Sequence, residues 1–270
     1  MPRTRVGDLE IAWDMAGPST GETVLMINGL GAVRGSWHLQ IPPLAERYRA
    51  YSFDNRDVGE TGPGDSPRPY GVERLAQDAA GLIEALEIGP VHVVGASMGG
   101  CIAQELAIAR PELVRSLQIV CSWSRTEPWL GELLLQGRSV FSAMGPFDWA
   151  RGTWVWVFTH RWFDDPARTA SLRRDAESAP FPQTAEMFAR QCDAAVDFDA
   201  LDRLRSIAAP TQVIAGEEDI FTPPRYSVEI ANGIPGATLT ILPEVGHGMF
   251  WETPEAFNAA LLSFLEANSA

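Results

Sequence analysis

The sequence predicts an α/β protein, a mostly parallel twisted sheet with helices on both faces and a helical insertion late in the chain. Three observations predict it. Short apolar, β-branched runs recur, and most of them stop at Gly or Asp. Windows with apolar residues at helical spacing alternate with these runs. Between residues 121 and 208 the runs cease, and helical windows take their place. Strand–helix alternation calls for parallel strands joined by right-handed crossovers.

The elements follow in order. Residues 9–15 alternate Leu9, Ile11, Trp13 and Met15 with polar neighbours, as in an antiparallel strand with one buried face. Residues 23–28 form a continuous apolar run closed by Gly29, and residues 50–53 another closed by Asp54. Residues 91–94, closed by Gly95, and 117–120 complete the first half. Continuous runs of this kind suit parallel strands covered on both faces. Leu75, Ala79, Leu82, Ile83 and Leu86 share one helical face, as do Ile102, Leu106 and Ala109, and His38 is read as opening a further helix. Past the insertion the pattern resumes: strand 211–215, helix 223–231, strand 237–242 and a closing helix 254–266. The expected division is a core of residues 1–121 and 209–270 with an insertion of residues 122–208.

Composition narrows the function. The 270 residues carry 21 Lys+Arg, all of them Arg, against 35 Asp+Glu, for a net charge of −14. Without lysine, neither a Schiff-base amine nor a P-loop lysine exists. An acidic surface repels phosphate backbones, so nucleic acid is not an expected partner. No stretch approaches the ~18 apolar residues of a membrane span, so no membrane partner is expected either. Cys101, Cys121 and Cys192 are odd in number and lack C-x-x-C spacing. Neither a disulfide framework nor a metal site is expected, and a reducing, cytoplasmic compartment fits, as does an N-terminus without an apolar leader.

The strongest motif is Gly95-Ala96-Ser97-Met98-Gly99, G-x-S-x-G between an apolar strand and a helix, with Gly100 following. A serine at the tip of such a turn needs neighbours without Cβ, so that strand and helix can approach. The alternative is a glycine-rich turn with an incidental serine. A serine hydroxyl is a poor nucleophile near neutral pH and needs a base, which in turn needs an orienting carboxylate. Asp219, in Gly216-Glu217-Glu218-Asp219, and His247, in Gly246-His247-Gly248, follow later strands, where sites of open α/β sheets gather. Glu217 and Glu218 compete for the acid role but lie nearer the strand end. Among the histidines, His92 falls inside a strand and His160 in the insertion. Asn28-Gly29-Leu30-Gly31 supplies a flexible loop, from which the Leu30 amide, with that of Met98, would hold an oxyanion. A dinucleotide loop is the rival reading, but the sixth position of G-x-G-x-x-G is Arg34. A plain β-turn is the other.

With these residues in hand, the sequence resembles the α/β-hydrolase superfamily over nearly its whole length, in its lid-bearing esterase and enol-lactonase-like branch. The order Ser97, Asp219, His247 is that of the superfamily's triad. Asp54-Asn55-Arg56-Asp57-Val58-Gly59-Glu60-Thr61 is similar to its D-x-R-G-x-G-x-S loop, with Asp57 at the usual Gly position, and Asn28 replaces the common His before the oxyanion residue. That change alters a side-chain anchor of the loop but leaves a backbone donor in place. Serine at the elbow argues against dehalogenases and epoxide hydrolases. Gly248, where many carbon–carbon hydrolases carry Trp, argues against those. The Asn-Gly-Leu-Gly loop also resembles that of some intracellular polyhydroxyalkanoate depolymerases.

The resemblance implies that the insertion is a lid over Ser97. Six of the nine tryptophans fall between Trp123 and Trp162. Part of this aromatic set must form the lid's own core, and the rest would line an apolar pocket. Trp123, Trp129, Trp154, Phe221 and Met249 are the candidate lining residues. Arg34 and Arg125 would either steer a substrate carboxylate or be taken up in ion pairs. The expected activity is hydrolysis of apolar carboxylic esters through an acyl-enzyme, without metal or organic cofactor. The same parts serve lactonases, thioesterases, perhydrolases and acyltransferases. A small-molecule receptor on this fold is the alternative of another class, and hydroxynitrile lyase chemistry an outsider. The expected partner is a small ester or lactone; the sequence leaves the oligomeric state open.

Overall fold

The computed structural model describes residues 2–65, 69–177 and 183–269. Eight strands form one sheet in the order β1-β2-β4-β3-β5-β6-β7-β8. They are β1 (Arg3–Val6), β2 (Leu9–Ala16), β3 (Thr23–Ile27), β4 (Arg49–Phe53), β5 (Val91–Ala96), β6 (Val114–Val120), β7 (Thr211–Gly216) and β8 (Thr238–Leu242). β1 and β2 form an antiparallel pair, β2 runs antiparallel to β4, and every pairing from β4 to β8 is parallel. The sheet is thus the mostly parallel one that the apolar runs predict. Its central strands β3 and β5 are buried along their whole length, as strands covered on both faces must be.

Helices α1 (Ile41–Ala45), α2 (Val72–Ala85) and α3 (Met98–Ala109) lie among the first six strands. His38 opens no helix; it follows the 3-10 turn Arg34–Trp37. Pro42 and Pro43 set the start of α1 later, because proline needs no N–H in a first turn. Between β6 and β7 come α4 (Pro128–Val157), α5 (Pro166–Glu177) and α6 (Ala185–Val196). α4 consists of two helical stretches joined across a kink at Gly145 (φ +81), just before Pro146. Residues 178–182 of the expected insertion lie outside the described residues. Then follow α7 (Pro224–Gly233), α8 (Met249–Glu252) and α9 (Pro254–Ala267).

Two apolar cores sandwich the sheet. One packs Leu75, Leu82, Ile102 and Leu106 of α2 and α3, with Ile230 of α7, on one face. The other packs Trp37, Leu44, Phe257, Leu261 and Leu265 on the opposite face. A third, small cluster of Phe141, Phe188 and Cys192 belongs to the insertion and touches Leu30 and Trp149. Phe141 stacks on Phe188 with centroids 4.3 Å apart, and Trp149 meets Phe188 edge-on at 4.6 Å.

The junction of β5 and α3 leaves no room for side chains at two positions. A Cβ at Gly95 would stand 2.2 Å from the Gly99 carbonyl oxygen, and one at Gly99 would stand 2.2 Å from that of Ile27 in β3. Both obstacles are backbone and cannot swing away. Gly99→Ala is therefore expected to destabilise the protein by about 3 kcal/mol, read as a shift in denaturant midpoint at constant slope. A midpoint equal to wild type would mean that β3 and α3 are not pressed together at this turn.

Candidate active site

Ser97 sits between β5 and α3 with φ 55° and ψ −125°, outside the conformations that L-residues favour. The surrounding bonds hold it there. Its N–H donates to the Val120 carbonyl (2.9 Å), and its carbonyl accepts from the Ser122 hydroxyl (2.8 Å). The side chain remains partly open to solvent.

Asp219 follows β7 and is buried. Its Oδ1 accepts the backbone N–H groups of Phe221 (2.9 Å) and Thr222 (2.8 Å). Its Oδ2 lies 2.8 Å from the Thr222 hydroxyl and 2.9 Å from His247 Nδ1. The two backbone amides fix this carboxylate in direction. His247, in the loop between β8 and α8, is also buried. Burial of the ring pulls its pKa down, while the Cys121 sulfur and the Asp219 carboxylate pull it up; the upward pull wins, and the pKa lies well above the ordinary 6.5. The Nδ1 proton points at the Asp219 carboxylate, and Nε2 is left as the basic nitrogen. Glu217 and Glu218 face elsewhere, toward the Glu244 N–H (3.2 Å) and Arg161 (2.8 Å).

Ser97, Asp219 and His247 follow β5, β7 and β8, with β6 between the first two. Cys121, which follows β6, donates its N–H to Ile214 and accepts the Thr222 hydroxyl (3.0 Å) at its carbonyl. Among the described residues Asp219 and His247 are joined directly, whereas no hydrogen bond links the Ser97 hydroxyl to His247. Unliganded sites of this kind commonly tighten only around substrate. Cys121, Asp219 and His247 have ligand atoms within 4.8 Å of one another and could in principle share a metal ion. Both Asp219 oxygens are already engaged, Oδ1 by two backbone amides and Oδ2 by His247, so the arrangement reads as an acid–base pair.

The Asn28–Gly31 loop presses against the serine: a Cβ at Gly29 would lie 2.9 Å from Ser97 Cβ. Asn55 Nδ2 donates to the Asn28 carbonyl (2.9 Å), and the Gly31 N–H donates to Gln191 Oε1 (3.1 Å). The Asn28 side-chain nitrogen is buried without a partner among the described residues, so it anchors nothing in the position where the resemblance expects a histidine. The Leu30 and Met98 N–H groups likewise have no protein acceptor among the described residues.

The candidate lining residues divide. Phe221 packs on His247, ring centroids 5.0 Å apart. Trp129 is exposed and borders a groove of about 510 Å³ with Ile220, Pro223 and Arg225. Trp154 is half-buried in α4. Trp123 and Met249 are instead fully buried core residues and offer no open surface; the Trp123 indole N–H is satisfied by the Thr126 hydroxyl (2.8 Å). Arg34 is buried and paired with Asp14, Asp54 and Glu60. Gly248 matters sterically, since a Cβ there would lie 2.8 Å from the Phe158 ring.

Sequence reasoning missed Thr222 and Gln191. Thr222 is signalled weakly, as a hydroxyl three residues after Asp219 in one turn. Gln191 is a polar residue among Phe188, Cys192 and Ala195 on the buried face of α6, a placement that only a partner explains.

The comparisons with known proteins agree with this architecture. The protein named as the carbamate hydrolase RutD of Azorhizobium caulinodans is 31% identical over 264 residues, 98% of each chain. The crystal structure of the protein named as the non-heme bromoperoxidase BpoC of Mycobacterium tuberculosis H37Rv superposes with a TM-score of 0.85 at 32% identity, covering 97% of both chains. That of an enol-lactonase from Burkholderia xenovorans LB400 gives 0.89 at 24% identity, over 98% of this chain and 100% of the other, a likeness of fold. The profile of the Alpha/beta hydrolase family matches residues 24–260. Sheet order, the strand-to-helix elbow and this match together establish that the chain belongs to the alpha/beta hydrolase family.

Proposed function

We propose that the protein is a serine hydrolase that cleaves carboxylic esters of apolar small molecules through an acyl-enzyme. The observation that carries this is the Asp219–His247 pair, a carboxylate pinned by two backbone amides and aimed at Nδ1, at the same end of the sheet as Ser97. His247 Nε2 takes the Ser97 proton as the hydroxyl oxygen attacks the carbonyl, and then hands it to the departing alcohol. Asp219 holds the tautomer and stabilises the imidazolium. The Leu30 and Met98 amides, unclaimed by protein acceptors among the described residues, hold the tetrahedral oxyanion. Water activated by His247 then releases the acid.

Support for an uncharged substrate comes from Arg34, whose guanidinium is spent on three carboxylates. The insertion serves as the lid in this reading, because it touches both catalytic loops: the Gly248 N–H donates to the Val157 carbonyl (2.8 Å), and the Gly31 N–H to Gln191. The cysteines Cys101, Cys121 and Cys192 are free and buried, which supports a reducing, cytoplasmic setting. The relative named as a carbamate hydrolase supports a second reading, in which the acyl group is a carbamoyl and the same steps apply.

The test is a panel of uncharged and charged p-nitrophenyl esters, lactones, thioesters and a carbamate, with a serine-directed phosphonate and mass spectrometry. Turnover of the uncharged esters above about 1 per second and a phosphonyl adduct on Ser97 are expected. Turnover of charged substrates alone would contradict the apolar reading, turnover of the carbamate alone would select the second, and absence of an adduct on Ser97 would remove the mechanism.

A further inference from the structure

We propose that Gln191, a residue of the helical insertion, is a positioning residue for the oxyanion loop. The inference rests on the serine hydrolase reading and deepens it, because it assigns to the insertion a part in the chemical step.

Gln191 is fully buried in α6. Its Oε1 accepts the Gly31 N–H (3.1 Å), and its Nε2 donates to the Arg56 carbonyl (2.9 Å). Gln191 thus ties two core loops, Asn28–Gly31 and Asp54–Thr61, to one amide. Gln183 reinforces the arrangement, with its Nε2 3.1 Å from Gln191 Oε1 and 2.8 Å from the Asp57 carbonyl. The neighbouring Arg190 donates to both carboxylate oxygens of Asp57 (2.9 and 2.6 Å), which also accepts the Tyr70 hydroxyl (2.7 Å). Asp57 adopts φ +68°, a conformation that favours glycine, and its carboxylate makes these bonds from there. The backbone of α6 is therefore fixed against the core at one turn, and Gln191 projects from that turn onto Gly31.

Gly31 itself has φ +69° and cannot hold the loop in one shape unaided. Asn28 offers no side-chain bond, and Asn55 holds only the carbonyl at the loop's start. The amide adjacent to Leu30 on the far side is held by Gln191 alone among the described residues. The Leu30 N–H shares its peptide plane with the Gly29 carbonyl, which accepts the Ala32 N–H (3.3 Å) across the turn, and Asn55 and Gln191 hold the peptides before and after it, so Gln191 fixes the side of the loop that this turn leaves open. Small displacements of an oxyanion donor lower the rate of the chemical step while leaving ground-state binding largely intact.

The experiment compares wild type with Gln191→Met, close in shape but unable to accept from Gly31. For both, kcat and KM on a p-nitrophenyl ester, the inhibition constant of phenylboronic acid and the thermal midpoint are measured. The boronate forms a tetrahedral adduct on serine and samples the oxyanion site directly. For Gln191→Met, kcat should fall by about 10- to 100-fold, with KM within about two-fold of wild type. Boronate binding should weaken in parallel with kcat. A raised KM or lowered thermal midpoint with kcat and boronate affinity unchanged would overturn the proposal and leave Gln191 a packing residue. Failure of the wild-type enzyme to turn over esters, or to be labelled at Ser97 by a phosphonate, would instead remove the hydrolase reading beneath it.

Discussion

Replacing Ser97 with alanine is expected to lower kcat on a reactive ester by about 10⁴-fold or more. The thermal midpoint should stay within about two degrees of wild type, because no buried hydrogen bond is lost. The Ser97 backbone carries the structural load: its N–H is bonded to Val120 and its carbonyl to Ser122. Its side chain makes no hydrogen bond among the described residues. Alanine inherits the same φ of 55° and so neither relieves nor adds backbone strain. Steady-state kinetics and a thermal melt on one preparation check both halves. Residual activity above a hundredth of wild type, with phosphonate labelling elsewhere, would assign the nucleophile to another residue.

Asp219→Asn should cost about 10⁴-fold in kcat through the tautomer of His247. The Phe221 and Thr222 amides demand an oxygen, so the new side chain presents its oxygen to them and its NH₂ to His247 Nδ1. The imidazole proton then moves to Nε2, where it cannot accept the serine proton. The pH dependence should change as well. Despite burial of the ring, the Cys121 sulfur and the Asp219 carboxylate hold the His247 pKa above 6.5. The neutral, active base therefore accumulates only as pH rises through that raised value, and kcat/KM of wild type should climb on an acid limb displaced upward from 6.5. Loss of the carboxylate moves the limb down. The sign for stability follows from the same linkage. The charged pair stabilises the fold below the unfolded histidine pKa, and that contribution is lost as pH rises through the folded one. The stability gap between wild type and Asp219→Asn should narrow over that window. A pH–rate profile that is the same in both proteins would show that Asp219 does not govern the base.

The legible parts of this molecule are those where one local rule decides. Strands β3, β5 and β7 are visible as mostly apolar runs because both faces are buried, with only Thr23, His92, Thr211 and Gln212 as polar exceptions. The elbow is visible because Gly95 and Gly99 face backbone oxygens that exclude any Cβ. What stayed hidden depends on pairing between distant segments. Trp123 and Met249 looked like pocket residues, since an aromatic or thioether side chain after a strand reads alike whether it faces a cavity or a core. The position of His38 was set by Pro42 and Pro43 further along. Gln191 stands 135 residues from Arg56 and 160 from Gly31, and nothing local to either side announces the other. Arg34 was ambiguous until Asp14, Asp54 and Glu60 were seen around it.

The insertion is fastened at Val157, next to the His247 loop, and at Gln191, on the Asn28–Gly31 loop. Under the proposed mechanism, prising it off as a body would unsettle the base and the oxyanion amides together. A guest that displaces the insertion would then meet a disarmed enzyme rather than a mere wall, so selectivity by size would surface as slow turnover instead of weak affinity.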